Sequence, residues 1–142
     1  MTSTSESSRH SPIETAAVVA HGRVDVREAV ERVRAVADRA SVTLIDEPEG
    51  AQLVVAVGGD GTILRTLARL LGTAVPVIGI NFGRVGFLAS IAPERLESDL
   101  ARVFGGEYRT IEQATLEAQL DGVSLAAVVA VAVYSTSQVL LR

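Results

Sequence analysis

The chain has 142 residues, no cysteine and a formal net charge of −4, and 48% of its residues are apolar. This length predicts one domain with a real core, and the lack of cysteine excludes a disulfide framework, a cysteine-based zinc site and a thiol nucleophile. An acidic chain argues against a nucleic-acid partner, and its apolar runs are too short for a membrane span or a signal peptide, so we expect a cytoplasmic protein.

The N-terminal part predicts a tail, then a strand, a helix and a second strand. Residues 1–12 are rich in Ser and Thr and predict a disordered tail. A strand is expected over Thr15–Ala20 and a second over Val42–Ile45, with a helix between them that Asp25 and Glu28 open as a capping box. Its apolar stripe is Val26, Val30, Val33, Ala37 and Ala40. Its solvated face is expected to carry Glu31, Arg32, Arg34 and Asp38.

The most informative stretch runs from Leu53 to Leu71. It reads as a buried Val-rich strand, the turn Gly58-Gly59-Asp60-Gly61-Thr62, and an amphipathic helix. Glycines let the backbone approach a ligand, and Thr62 is expected to cap the helix, whose first N–H groups favour an anion. The helix stripe is predicted as Ile63, Leu64, Leu67, Ala68 and Leu71, with Arg65 and Arg69 on another face.

Asp60 is the unusual member of this turn, because a carboxylate repels phosphate. It either tightens a strand-to-helix connection or handles a proton or hydroxyl beside phosphates. The spacing matches neither the dinucleotide-binding Gly-x-Gly-x-x-Gly loop nor a Walker A loop. His21 follows the first strand, where ligands collect in open α/β sheets, and is either a phosphate contact or a surface histidine.

A second motif follows at Val75–Leu88, where another buried strand enters the loop Gly79-Ile80-Asn81-Phe82-Gly83-Arg84-Val85-Gly86-Phe87. The Gly-Gly-Asp-Gly-Thr turn combined with this segment closely resembles NAD kinase. The first turn alone is shared with diacylglycerol-type lipid kinases and, more loosely, with phosphofructokinases. The second motif points to the NAD kinases.

The C-terminal part changes from strand–helix alternation to a β-hairpin. Pro93 opens a helix with Leu96, Leu100 and Val103 on one face, and Gly105-Gly106 ends it. Extended structure over Tyr108–Leu120, a turn at Asp121-Gly122 and a returning strand over Val123–Val133 predict the hairpin.

The predicted fold class is α/β, an open, mostly parallel sheet with flanking helices. By resemblance it is an NAD kinase or diacylglycerol kinase-like N-terminal domain, with a C-terminal hairpin leading toward a missing all-β domain. The expected organisation is a tail at 1–12, an α/β nucleotide-binding domain at 13–107, and at 108–142 the start of a truncated β-domain.

The resemblance implies that the γ-phosphoryl of ATP passes to the 2′-hydroxyl of the adenosine ribose of NAD, giving NADP. Asp60 is then the general base. The implied NAD and ATP contacts are Gly59, Gly61, Thr62, Arg65, Asn81 and Phe87. The donor is ATP or polyphosphate, Mg²⁺ or another divalent cation comes with the nucleotide, the chain itself offers no metal site, and the full-length family is expected to form homo-oligomers.

One departure from the family concerns Val129 and Ala130, which stand where NAD kinases carry an Asn–acid pair that holds the nucleotide. Apolar side chains cannot make those hydrogen bonds, so the isolated chain is expected to be weakly active or inactive. Two alternatives stay open: a non-catalytic nucleotide-binding domain and a diacylglycerol-type lipid kinase domain. For the lipid kinase we would expect a Gly-Thr-x-Asn-Asp-type segment after the second of the two strands, and Asn81-Phe82-Gly83-Arg84 is different.

Overall fold

A four-stranded parallel sheet organises the chain. The computed structural model describes residues 9–22, 24–82, 88–111, 115–120, 123–128 and 132–135. The sheet has the order β2-β1-β3-β4. Its strands are β1 (Thr15–Ala20), β2 (Thr43–Leu44), β3 (Leu53–Gly58) and β4 (Val77–Asn81). Three helices accompany them: α1 (Val24–Arg39), α2 (Asp60–Arg69) and α3 (Leu96–Phe104).

Strand β3 lies in the middle of the core, and all six of its residues are buried. Alternate side chains enter two hydrophobic clusters, as the two-residue period of a strand requires. Val55 packs with Val33 and Leu100 in one cluster, whereas Val54 packs with Ile63 and Leu67 in the other. Helices α1 and α3 therefore cover one face and α2 covers the other, and the predicted open α/β sheet is confirmed.

Helix α1 agrees with the predicted apolar stripe in part. Its core positions are Val26, Ala29, Val33, Val36 and Ala37, while Ala40 is exposed. The helix begins at Val24, so the predicted cap at Asp25 is wrong: this carboxylate lies inside the first turn. There its negative charge is still stabilised by the positive end of the helix dipole.

Arg32 corrects the prediction of a uniformly solvated α1 face. Its Nε donates to Oε1 of Glu97 at 2.6 Å and its Nη2 to Oε2 at 2.8 Å, which makes a two-pronged bridge to α3. The same Nη2 donates to the Pro93 carbonyl at 2.8 Å. Sequence periodicity assigns a residue to a helix face, but a partner 65 positions away is set by how the helices pack.

Helix α2 also differs from its predicted stripe. Ile63 and Leu67 are buried as expected, but Leu64 is 41% exposed and Ala68 is exposed. Thr62 and Thr66 are buried in their place, and the Thr66 hydroxyl donates to the Thr62 carbonyl at 2.8 Å. A threonine that bonds to its own helix satisfies its hydroxyl in the core. Because threonine is polar, the apolar pattern of the sequence does not place Thr62 and Thr66 on the buried face.

The junction after α3 confirms the predicted helix end and adds an N-terminal contact. A 3₁₀ turn at Pro93–Arg95 precedes α3, Gly105 caps its end, and Gly106 has a positive φ of 89°. His10 donates its backbone N–H to the Gly106 carbonyl at 3.0 Å. Its ring stacks on Tyr108 with centroids 4.3 Å apart.

Four strands follow in two antiparallel pairs. They are β5 (Tyr108–Ile111), β6 (Thr115–Leu120), β7 (Val123–Val128) and β8 (Ala132–Ser135). Pairing of Leu120 with Val123 confirms the predicted hairpin, whose turn lies outside the described residues. The single returning strand predicted to Val133 is wrong at its end, because Ala132 and Val133 belong to β8 and pair with β5. Val129 and Ala130 also lie outside the described residues.

Candidate functional site

The carboxyl ends of β1, β3 and β4 meet at one edge of the sheet. The chain passes from β1 to β2 on one side and from β3 to β4 on the other, so the topology reverses between β1 and β3. Ligands of open α/β sheets bind at such a switch point. Gly58 is the register partner of Asn81, and the Gly58 carbonyl accepts a hydrogen bond from the Phe82 N–H at 3.0 Å. The His21 N–H donates to the Val57 carbonyl at 3.3 Å. The two predicted motifs therefore lie side by side.

Gly58 makes the sharp turn from β3 into α2. Its φ is 153°, and a Cβ there would lie 2.6 Å from Thr62 Oγ1 and 3.0 Å from the His21 carbonyl oxygen. Only glycine fits both the backbone conformation and the space.

Thr62 does not cap α2, contrary to the sequence prediction. The N-cap is Gly59, the helix begins at Asp60, and no side chain bonds at the cap. Because the glycines let the helix start earlier, Thr62 becomes a buried residue of the first turn, and its N–H donates to the Gly59 carbonyl at 3.0 Å.

Asp60 lies at the positive end of α2, partly exposed, between two glycines. Its Oδ1 accepts a hydrogen bond from the Leu88 N–H at 3.2 Å. Among the described residues, a Cβ on Gly59 would meet nothing within 4 Å, and one on Gly61 would meet only Arg65 Nη2, at 4.0 Å. The described part of the chain thus leaves space on both sides of the carboxylate, with the Arg65 guanidinium one helical turn along.

The segment after the second motif lies beside β4 and forms a parallel bridge to it between Ile91 and Ile80. Ser90 and Ile91 both donate their N–H groups to the Gly79 carbonyl at 3.0 Å, and the Asn81 N–H donates to the Ile91 carbonyl at 3.1 Å. This segment carries the Leu88 N–H to Asp60. Phe87, the remaining predicted contact, lies outside the described residues.

The sequence reasoning missed two members of this site, the Leu88 N–H and Gly79. A backbone donor leaves no trace in side-chain identity. Gly79 did carry a signal, since a glycine inside an otherwise apolar strand marks a close approach of another segment.

A groove of about 350 Å³ opens at the same edge, beside the exposed His21. It is lined by Ala20, Gly22, Val26, Arg27, Val30 and Glu31. In the part of the chain that the structure describes, no group of three or more His, Cys, Asp or Glu residues could hold a metal ion. Among the same residues no helix is long and apolar enough to cross a membrane.

Comparisons with known proteins agree with this geometry. A model of the ATP-NAD kinase N-terminal domain matches residues 2–108. The NAD kinase of Nitrosococcus oceani is 41% identical over 81 residues, which cover 57% of this chain and 28% of that protein. The NAD kinase of Rhodococcus erythropolis is 35% identical over 135 residues, which cover 70% and 43% respectively.

A solved structure agrees as well. The crystal structure of an NAD kinase from Archaeoglobus fulgidus in complex with ATP is similar with a TM-score of 0.59 and 33% identity, over 78% of this chain and 45% of that one. The chain spans less than half the length of each of these relatives. The resemblance drawn from the two glycine-rich motifs is confirmed, and the chain belongs to the ATP-NAD kinase family.

Proposed function

We propose that the chain carries the catalytic turn of an NAD kinase. The reaction transfers the γ-phosphoryl group of ATP to the 2′-hydroxyl of the adenosine ribose of NAD, giving NADP and ADP. The observation that carries the proposal is the placement of Asp60: a carboxylate at a switch point, bonded to the Leu88 N–H and flanked by glycines that no described residue crowds. Family membership supplies the substrates.

In this mechanism Asp60 accepts the proton of the ribose hydroxyl as that oxygen attacks the γ-phosphorus. The bond between the γ-phosphorus and the bridging oxygen breaks, and ADP leaves. Such a positioned base contributes about 10²–10⁴-fold in rate. The backbone at Gly59 and Gly61 offers close approach, and the N-terminus of α2 favours phosphate charge.

Arg65 supplies positive charge near the phosphates, because its Nη2 lies over Gly61 at the mouth of the turn. Asn81 faces the same edge from β4, and we assign it to nucleotide contact together with Phe87. The divalent cation enters as part of the MgATP substrate, since Mg²⁺ is commonly held by substrate phosphates with few protein ligands.

We also propose a boundary near residue 107 between the α/β domain and the start of a second, β-rich part. The end of the family match at residue 108 supports it, as does the change from parallel to antiparallel pairing at β5. Val129 and Ala130 replace the Asn–acid pair that the resemblance implies, so we expect low turnover from this chain alone.

The test measures binding and turnover separately. MgATP titration followed by amide NMR should shift residues Gly59 to Arg65, and Arg65→Ala should weaken that binding by about tenfold, the usual scale for one charge-assisted contact. Arg69→Ala is the matched control, because Arg69 lies one turn further along and pairs with Glu49 at 2.6 Å.

Turnover is followed as NADP formed. Asp60→Asn should keep MgATP binding and the circular dichroism spectrum, and should remove the low turnover of the unsubstituted chain, because a positioned base contributes about 10²–10⁴-fold in rate. Unchanged kcat in Asp60→Asn, or equal effects of the two arginine substitutions, would contradict the proposal.

A further inference from the structure

Gly79, in the middle of β4, has close neighbours from both α2 and the segment 88–91. A Cβ at this position would lie 2.5 Å from Ile63 Cδ1, 3.1 Å from Ile63 Cγ1 and 3.2 Å from the Ala89 Cα. The first distance is shorter than real contacts allow, so a Cβ would displace the Ile63 side chain, and it would also press on the Ala89 backbone by a few tenths of an ångström.

Both of those neighbours are connected to Asp60. Ile63 is in α2, one turn after the carboxylate, and packs in the same cluster as Ala56 and Leu67. Ala89 follows directly on Leu88, whose N–H donates to Asp60 Oδ1. Leu88 and Ala89 are partly buried against that same cluster. The helix that bears the acceptor and the segment that bears the donor thus both contact β4 at Gly79, through Ile63 and Ala89.

The Gly79 carbonyl also holds the segment 88–91 against β4, because it accepts hydrogen bonds from the N–H groups of Ser90 and Ile91, both at 3.0 Å. Leu88 lies two residues before Ser90, the first of these donors. The distance of 3.2 Å from its nitrogen to Asp60 is at the long end of the hydrogen-bond range. A displacement of a few tenths of an ångström is therefore enough to break the bond.

We propose that Gly79 is a positioning residue for Asp60: the absence of a side chain there lets residues 88–91 approach β4 closely enough for the Leu88 N–H to orient the carboxylate. This inference rests on the proposed role of Asp60 as the general base. Gly79 itself lies buried in the strand and would act only through Leu88.

The design separates the two clashes that a side chain would cause. Gly79→Ala meets Ile63 and the Ala89 backbone together. The pair Gly79→Ala/Ile63→Val removes Cδ1, the atom at 2.5 Å, and leaves the milder contacts with Cγ1 of residue 63 at 3.1 Å and with the Ala89 backbone at 3.2 Å. Ile63→Val alone is the control. Gly79→Ala/Ile63→Ala gives more room and replaces the pair if that one does not fold.

The thermal midpoint should fall in Gly79→Ala and return close to the Ile63→Val value in the pair. In the pair kcat should stay about tenfold to 10²-fold below that of Ile63→Val, with the KM for NAD and ATP within about twofold, because a displaced base costs rate and not binding. A structural role alone would recover kcat together with the midpoint.

A second measurement needs no turnover. In amide NMR, Asp60→Asn should move the Leu88 resonance in the Ile63→Val background and leave it nearly unmoved in the pair, where the hydrogen bond is already lost. A Leu88 resonance that responds equally in both backgrounds overturns the inference. If Asp60→Asn does not lower turnover, the proposed function fails, and the Leu88 response still decides whether Gly79 positions the carboxylate.

Discussion

Single glycines at the turn between β3 and α2 have opposite physical roles. Gly58 is required by a φ of 153° and by the nearness of Thr62 Oγ1. Gly61 lies in the first turn of α2, where alanine is favoured over glycine by about 0.5–1 kcal/mol in a helix. The same substitution should therefore have opposite effects on stability at positions three residues apart.

We predict that Gly58→Ala lowers the free energy of unfolding by about 2–4 kcal/mol, through backbone strain and overpacking. Gly61→Ala should raise it by about 0.5 kcal/mol and weaken MgATP binding, because its Cβ enters the space over the turn. Urea unfolding followed by circular dichroism, with a MgATP titration of each variant, checks both. Equal destabilisation by the two substitutions would contradict this account of the turn.

For single residues, the sequence predicts which residues belong to the candidate site better than it predicts which atoms they contact. Asp60 is recognisable because a carboxylate is out of place in an anion-binding turn. The sequence predicts Thr62 as the cap because threonine, serine and aspartate are common capping residues, whereas the glycines let α2 begin three residues earlier. The Leu88 donor could not be predicted, since any non-proline residue has an N–H.

The packing of α1 against α3 depends on charge as well as on apolar area. Arg32 lowers the pKa of Glu97 to about 2 by hydrogen bonding to its carboxylate. The Glu97 side chain is 44% exposed, so solvent screening limits the gain to about 1 kcal/mol or less. The bridge therefore adds only a small contribution to the contact between two helices that Val33 and Leu100 already hold together by apolar packing.

We predict a pH dependence of stability from this bridge. Because the pKa of Glu97 in the folded chain lies below its ordinary value of 4.5, the contribution is complete above about pH 4.5 and is lost as the pH falls toward about 2. The difference in unfolding free energy between the wild type and Glu97→Gln should be near 0.5–1 kcal/mol at pH 7 and shrink below pH 4.

Urea unfolding at pH 7, 5 and 3 measures this difference. Glu14→Gln is the control, because the described part of the chain shows no ion pair for Glu14. A difference that stays constant from pH 7 to pH 3 would show that Glu97 acts by packing and not by charge.

Elements with strong local patterns were predicted well. The Val-rich run gave β3 because a strand buried on both faces needs no alternation. The Asp121-Gly122 dipeptide predicted the β6–β7 register through its turn preference. The pairing of β5 with β8 was missed because it joins residues far apart in sequence, and no local pattern encodes such a pairing.

At the scale of the whole molecule, the two antiparallel pairs have backbone edges to which no described strand pairs. Among the described residues β6 pairs only with β7, and β5 only with β8. Two-stranded sheets are marginal alone, and an unpaired edge recruits another strand. Resemblance to the family also predicts homo-oligomers.

We therefore predict that the isolated chain self-associates through the hairpin Thr115–Val128. Sedimentation velocity over a range from about 5 to 200 μM should show a rising mean mass. Replacing 115–128 by a Gly/Ser segment of equal length keeps β5 and β8 and should give a monomer. Association that persists in this variant would assign the interface to another surface.

The stack of His10 on Tyr108 also gives the molecule an optical reporter. The chain has two tyrosines and no tryptophan, so its near-ultraviolet emission comes from Tyr108 and Tyr134 alone. Burial raises the pKa of the Tyr108 phenol above its usual value of 10.0. In a Tyr134→Phe variant, the ionisation of the Tyr108 phenol can be followed alone, by absorbance during an alkaline titration and by fluorescence. Both signals then report whether His10 is packed against Tyr108.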